Sequence, residues 1–180
     1  MKKRLPRKTR PITRARLENI ALHYVSRYAA TRAMLRRVLN RRVLLKAQRE
    51  GNSEVPAEAR EWIAEICVAY EKRGWVDDGR LADSLASNAA ARGLSRKMLM
   101  LKMRQKGLEP STIRGAIAKR SEEHPDEDDL TAARHFARKK NLGPWRKKKG
   151  GEDERKKDLA KLCRAGFSFE TAKAALKKSG

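Results

Sequence analysis

The stretch Thr31-Arg32-Ala33-Met34-Leu35-Arg36-Arg37-Val38-Leu39 decides how this chain is read. Thr31 is of the type that caps a helix N-terminus, because its hydroxyl can accept from a backbone N–H left without a partner in the first turn. Leu35, Val38 and Leu39 follow at the three- and four-residue spacing that lines one face of a helix. The same pattern returns 64 residues later, where Ser95-Arg96-Lys97-Met98-Leu99 overlies Thr31-Arg32-Ala33-Met34-Leu35. A second offset, of 59 residues, lays Gly107-Leu108, Thr112, Ala116 and Ile117 over Gly166-Phe167, Thr171, Ala175 and Leu176. These matches suggest an internal repeat.

Outward from that stretch the signal stays helical. Leu17, Ile20, Ala21, Tyr24 and Tyr28 form one stripe. Gln48 to Pro56 reads as a loop. Pro56 to Arg73 fits a helix with Pro56 in its first turn, Trp62, Ile63, Ile66, Ala69 and Tyr70 on one face, and Gly74 as its stop. Asp77 or Asp78 can cap the next helix, carrying Leu81, Leu85, Ala89 and Ala90 and ending at Gly93. Further helices open at Ser95, reaching Gly107, and at Pro110-Ser111, with Ile113, Ala116 and Ile117 inside. An acidic connector, Ser121 to Asp129, precedes three more, at 128–140, 152–165 and 169–178, and Gly143 to Gly151 reads as a solvated loop. No segment alternates as a strand would. The expected fold is all-α: three tandem three-helix repeats (17–76, 77–120 and 121–180, the last including the connector) in an elongated, curved array, behind a basic arm at 1–16 expected to be disordered. Each repeat is too small to hold much core alone.

The 180 residues carry 45 Lys and Arg against 22 Asp and Glu, a formal net charge of +23. Residues 1–50 hold 16 basic and 2 acidic side chains, and residues 93–120 hold 8 and 1. Such an excess attracts polyanions, nucleic acid first among them. Arg32, Arg36, Arg37, Arg41 and Arg42 read as a guanidinium stripe opposite the Leu35/Leu39 face. Arg96, Lys97, Lys102, Arg104 and Lys106 form a second basic helix. An ordinary solvated face mixes signs, yet no acid occurs between Glu18 and Glu50, so like charges repel without compensation. These ten residues are the candidate contacts to phosphates. The contacts would be non-specific, because the helices do not offer base-reading Asn or Gln.

Other chemistry finds no support. There is no phosphate-cradling Gly-rich loop and no dinucleotide fingerprint. His23, His124 and His135 are isolated, and His23 and His135 read as packing or surface residues. Asp77-Asp78 suits a helix start better than a metal site. Cys67 and Cys163 stand far apart, on faces that suggest buried thiols, which excludes a disulfide framework. No window approaches the roughly 18 consecutive apolar residues of a membrane span. The expectation is a cytoplasmic, monomeric protein that is not an enzyme, with no cofactor, no metal and no membrane association.

These segments resemble the RecX family, bacterial regulators of the RecA recombinase. Gly74-Trp75-Val76-Asp77-Asp78-Gly79-Arg80-Leu81 is similar to the family's Gly, aromatic, apolar, Asp-Asp, any, Arg, apolar signature. Arg92-Gly93-Leu94-Ser95, Leu99, Met103 and Gln105-Lys106-Gly107-Leu108 resemble its central helix. Thr31, Leu35-Arg36-Arg37 and Leu39 resemble its first repeat. Phe136-Ala137-Arg138-Lys139-Lys140 and Gly166-Phe167 resemble its last. The resemblance spans about residues 17–178 and departs at Met98, Met100, Lys102 and Arg32, where members commonly carry other charges. It implies a non-catalytic protein of three helical repeats that lies in the groove of the RecA–DNA filament, slows ATP hydrolysis and strand exchange, limits SOS signalling, and binds single- and double-stranded DNA. Asp77, Asp78 and Arg80 are assigned to the repeat junction rather than to a binding surface. Two other readings remain: a free-standing, non-specific DNA-binding or architectural protein, and a helical scaffold for acidic proteins.

Overall fold

A computed structural model describes residues 11–52, 54–124, 129–147 and 151–177, and all regular structure among them is helical. The all-α expectation holds. The described residues fall into two compact units that divide between Asp78 and Gly79.

The first unit contains α1 (Arg14–Val25), α2 (Arg32–Arg49) and α3 (Ala57–Lys72). Thr31 caps α2 as its sequence suggests, its Oγ accepting from Met34 N at 3.0 Å. Leu17, Ala21, Leu35, Leu39, Val43, Ile63, Ile66 and Tyr70 close one core between the three helices. Tyr70 OH donates to the Glu18 carbonyl at 3.0 Å and so ties α3 to α1. Gly74 ends α3 with φ +68°, where a Cβ would be strained. The Gly74 and Trp75 N–H groups donate back to Glu71 and Tyr70 carbonyls at 2.9 and 3.0 Å, which satisfies the last turn. Val76, next in the chain, is then buried in the same core.

The second unit contains α4 (Asp78–Ser87, after its first residue), α5 (Arg96–Gln105), α6 (Pro110–Glu123), α7 (Asp129–Lys139), α8 (Glu152–Arg164) and α9 (Phe169–Ala175), with a 3-10 turn at Gly143–Trp145. It has two cores. One gathers Ala82, Ala86, Leu99, Met103, Leu108, Ile113 and Ile117 from α4 to α6. The other gathers Ala133, Ala137, Leu142, Leu162, Phe167, Ala172 and Ala175 from α7 to α9. Alanines at these contacts let helix backbones approach closely. Lys119 bridges α6 to α4 through Asp83 at 2.7 Å.

Several boundaries and faces differ from those expected. Helix α1 begins at Arg14, capped by Thr13, so residues 14–16 of the basic arm are helical; residues 1–10 lie outside the described residues. Tyr28 follows α1 and is exposed rather than on its inner stripe. Helix α2 runs on to Arg49, and Pro56 precedes α3 instead of joining its first turn. In α4 the buried face is Ala82 and Ala86, with Leu81 and Leu85 half-buried, and the helix stops at Ser87 before turns lead to Gly93. Asp78 is the first helical residue of α4 rather than its cap. Helix α6 continues through Glu123 into the expected connector, of which 125–128 lie outside the described residues. The presumed loop after Gly143 contains the 3-10 turn, while Lys148 and Lys149 lie outside the described residues. Cys163 is exposed, against expectation, because Leu162 takes the inward position of that turn; Cys67 is buried.

Candidate polyanion-binding helices

The two basic helices start in the same way. Each has a buried hydroxyl cap, Thr31 or Ser95, and each begins with an arginine where the helix dipole favours an acid. The missing acid comes from elsewhere in the chain. Asp78 Oδ1 accepts from Arg32 N at 2.9 Å, and Asp129 Oδ1 accepts from Arg96 N at 2.8 Å. Asp78 and Asp129 are the first residues of α4 and α7. Burial pushes the Asp78 carboxyl up, with Glu71 and Asp77 adding to the rise; the Arg32 N–H and the Arg32 charge pull against it. The N-terminus of α5 is held further. Ser95 Oγ accepts from Met98 N at 3.3 Å and donates to the Ala165 carbonyl at 2.8 Å. Gly166, with φ +91°, lies so close that a Cβ there would meet Ser95 Oγ at 2.6 Å.

The five candidate arginines of α2, and Arg49 at its end, are exposed, but the five do not form one stripe. At about 100° per residue, Arg37 and Arg41 lie nearly opposite Leu39 and face outward. Arg36 lies toward α3, beside Ile63 and Arg60. Arg42 lies toward α1, beside Ile12, Arg16 and Ile20. Arg32 pairs with Glu71 at 3.2 Å. The expectation of a single stripe is therefore corrected: buried Leu35, Leu39, Val43 and Ala47 occupy one side and the arginines fan around the remainder. Among the described residues no carboxylate pairs with Arg36, Arg41 or Arg42.

On α5, Arg96, Lys97, Lys102 and Arg104 are exposed, while Lys106 is half-buried in the position that follows the helix. Lys97 and Arg104 face outward with Leu101, itself 44% exposed, between them. Arg96 lines a cavity of about 260 Å3 against α6 and α7, together with Arg120, His124 and Asp129. Lys97, Lys102 and Arg104 have no carboxylate partner among the described residues. Such exposed cations can each neutralise a phosphate. Burial pushes the Cys67 thiol up, with Arg32 and Arg36 opposing and Glu71 adding to the rise, which favours the protonated form. His23 and His135 are surface residues. Among the described residues no three His, Cys, Asp or Glu side chains converge on a metal position, and no helix is long and apolar enough to cross a membrane.

No protein-family model matches the chain. A protein named regulatory protein RecX from Myxococcus xanthus is 40% identical over 173 residues, covering 96% of this chain and 90% of that one. The chain belongs to the RecX family. A second regulatory protein RecX, from Agrobacterium fabrum, is 29% identical over 84% of this chain and 77% of its own. The crystal structure of RecX from Lactobacillus salivarius superposes with a TM-score of 0.62 at 17% identity, over 91% of this chain and 94% of that one. It shares the fold.

The RecX-like signature at 74–81 now has a physical account. Gly74 turns the chain, Trp75 packs edge-on to Tyr70 at 4.9 Å with Arg73 over its ring at 5.0 Å, and Val76 enters the core. Asp78 then reaches α2. Sequence reasoning placed the paired acids at a helix start and at a repeat junction, but gave no sign of the bond from Asp78 back to α2. It also missed Asp158, which is 1% exposed and binds Arg146 at 2.6 and 3.0 Å and Gly143 N at 2.8 Å. A lone Asp amid the basic run of α8 gives no sign that it turns inward.

Proposed function

We propose that this chain is a non-catalytic, cytoplasmic regulator of the RecA recombinase that binds the RecA–DNA filament and modulates its ATPase, its strand exchange and SOS signalling. Family membership along nearly the whole chain carries this reading. The exposed cations support it physically. Arg36, Arg37, Arg41 and Arg42 on α2, with Lys97, Lys102 and Arg104 on α5, supply the electrostatic attraction to a nucleoprotein surface; Arg32, Arg96 and Lys106, at helix ends, contribute less. In this reading the helical triplets 17–76 and 77–120 carry these faces, and 121–180 forms a third triplet after them in the chain. Binding alters filament activity only if it favours one filament state over another.

The test is RecA's DNA-dependent ATPase and strand exchange at low salt with added protein. A dose-dependent change in both is expected; unchanged rates overturn the reading. The charge of +23 also favours a second reading, a free-standing DNA-binding protein. Binding to naked and RecA-coated DNA, compared over a salt series, separates them: the regulator prefers the coated strand, and the free-standing binder does not.

A further inference from the structure

A groove of about 350 Å3 runs between α1 and α2 in the first unit, and it differs in kind from the outward cationic faces. Its floor is aliphatic: Ile12 and Ile20 pack against the core edge, and Leu45 is 43% exposed. Its walls are cationic: Arg42, Lys46 and Arg49 follow one another along α2 at helical spacing, and Arg16 faces them from α1. Lys46 is bonded to Glu50 at 3.1 Å, whereas Arg42 and Arg49 have no carboxylate partner among the described residues. Among the described residues no carboxylate and no aromatic ring lines the groove.

We propose that this groove docks an acidic, amphipathic peptide segment of a protein partner, with an aliphatic side chain seated on Ile12, Ile20 and Leu45 and flanking carboxylates paired to Arg42 and Arg49. Two features select this occupant. Single-stranded nucleic acid is gripped by stacking bases on aromatic side chains, and an aliphatic floor offers none; it does fit a leucine or isoleucine, whose burial adds binding that charge alone does not. The chain's own first ten residues carry six basic side chains and no acid, so their sequence lacks the carboxylates this occupant supplies. Recognition of an apolar anchor between carboxylates is the helix-in-groove mode of peptide binding, and it stands independently of which protein supplies the segment.

The experiment uses the full chain and labelled synthetic probes, read by fluorescence anisotropy at physiological salt. One peptide carries leucines at one-turn spacing among glutamates, a second has serines in place of the leucines, and a third probe is oligothymidylate. The leucine peptide is expected to bind at least about tenfold tighter than the serine peptide. Leu45→Gln should erase that difference and leave oligothymidylate binding unchanged. Charge reversal at Arg42 and Arg49 together should abolish binding of the leucine peptide. Leu45 is a surface residue, so the variant should melt as the parent does by circular dichroism. Equal affinity for the two peptides overturns the proposal, as does an effect of Leu45→Gln on oligothymidylate equal to that on the peptide. The assay contains no RecA, so its failure is separate from a failure to alter RecA activity.

Discussion

A carboxylate as deeply buried as that of Asp158 survives only where hydrogen bonds replace its lost water. Burial pushes its pKa up, but the bidentate bond from Arg146, the Gly143 N–H and the charges of Arg146 and Lys161 outweigh this and hold the group below the usual carboxylate range. A depressed folded value means stability that is present above the unfolded value, near 3.9, and lost as pH falls through the folded one. Asp158→Asn should remove that acid dependence and lower stability, because the bidentate bond from Arg146 loses its ionic acceptor; denaturant melts at several pH values measure both. Asp78 has the opposite sign. Its folded value is raised, so its contribution is greatest at low pH and falls away as pH rises through that value. An asparagine can accept the Arg32 N–H without the desolvation cost of a charge. Asp78→Asn should therefore melt at or slightly above the parent temperature, while Asp78→Ala should cost about 1 kcal/mol. Equal losses in the two variants would contradict this account.

The helices α2 and α5 show which properties of an element can be read from its residues. Their caps and buried positions follow from local rules: a hydroxyl before the first turn and apolar residues at helical spacing. Thr31, Ser95, Leu35, Leu39, Leu99 and Met103 all occupy the roles those rules give them. The direction of each arginine depends on where the neighbouring helices lie, and no local rule supplies that. Arg36 and Arg42 are six residues apart and end on opposite flanks because α3 and α1 pack on opposite sides of the buried face. The carboxylates that complete the helix starts come from 46 and 33 residues away, beyond any capping pattern. The inward turn of Asp158 was hidden for the same reason. A functional prediction belongs at this scale. Replacing Arg37 and Arg41 by Ala should lower the slope of log binding constant against log salt by about 2 on naked DNA, with helicity unchanged by circular dichroism. An unchanged slope would remove these two residues from the binding face.

Across the whole molecule, the two units depend on the chain order in different ways. The first draws its core from α1 to α3, together with Val76. A fragment of residues 1–78 should keep its helicity and melt cooperatively, as a small single-core domain does. The second unit joins two cores through the start of α5, which needs Asp129 and the Ala165 carbonyl. A fragment ending at residue 123 should therefore show less helix by circular dichroism than its six helices would give if all were formed. Gly166→Ala in the full chain should cost about 2 kcal/mol, since φ and the nearby Ser95 Oγ both oppose a Cβ; a smaller loss would show that the turn can shift.

The bond from Ser95 to Ala165 also bears on synthesis. A ribosome adds residues one at a time, and early domains fold while later ones are still being made. The first unit can settle once Asp78 has left the exit tunnel. The middle helices must wait until Ala165 has emerged as well, so a pause between these two points leaves them incomplete and open to chaperones and proteases.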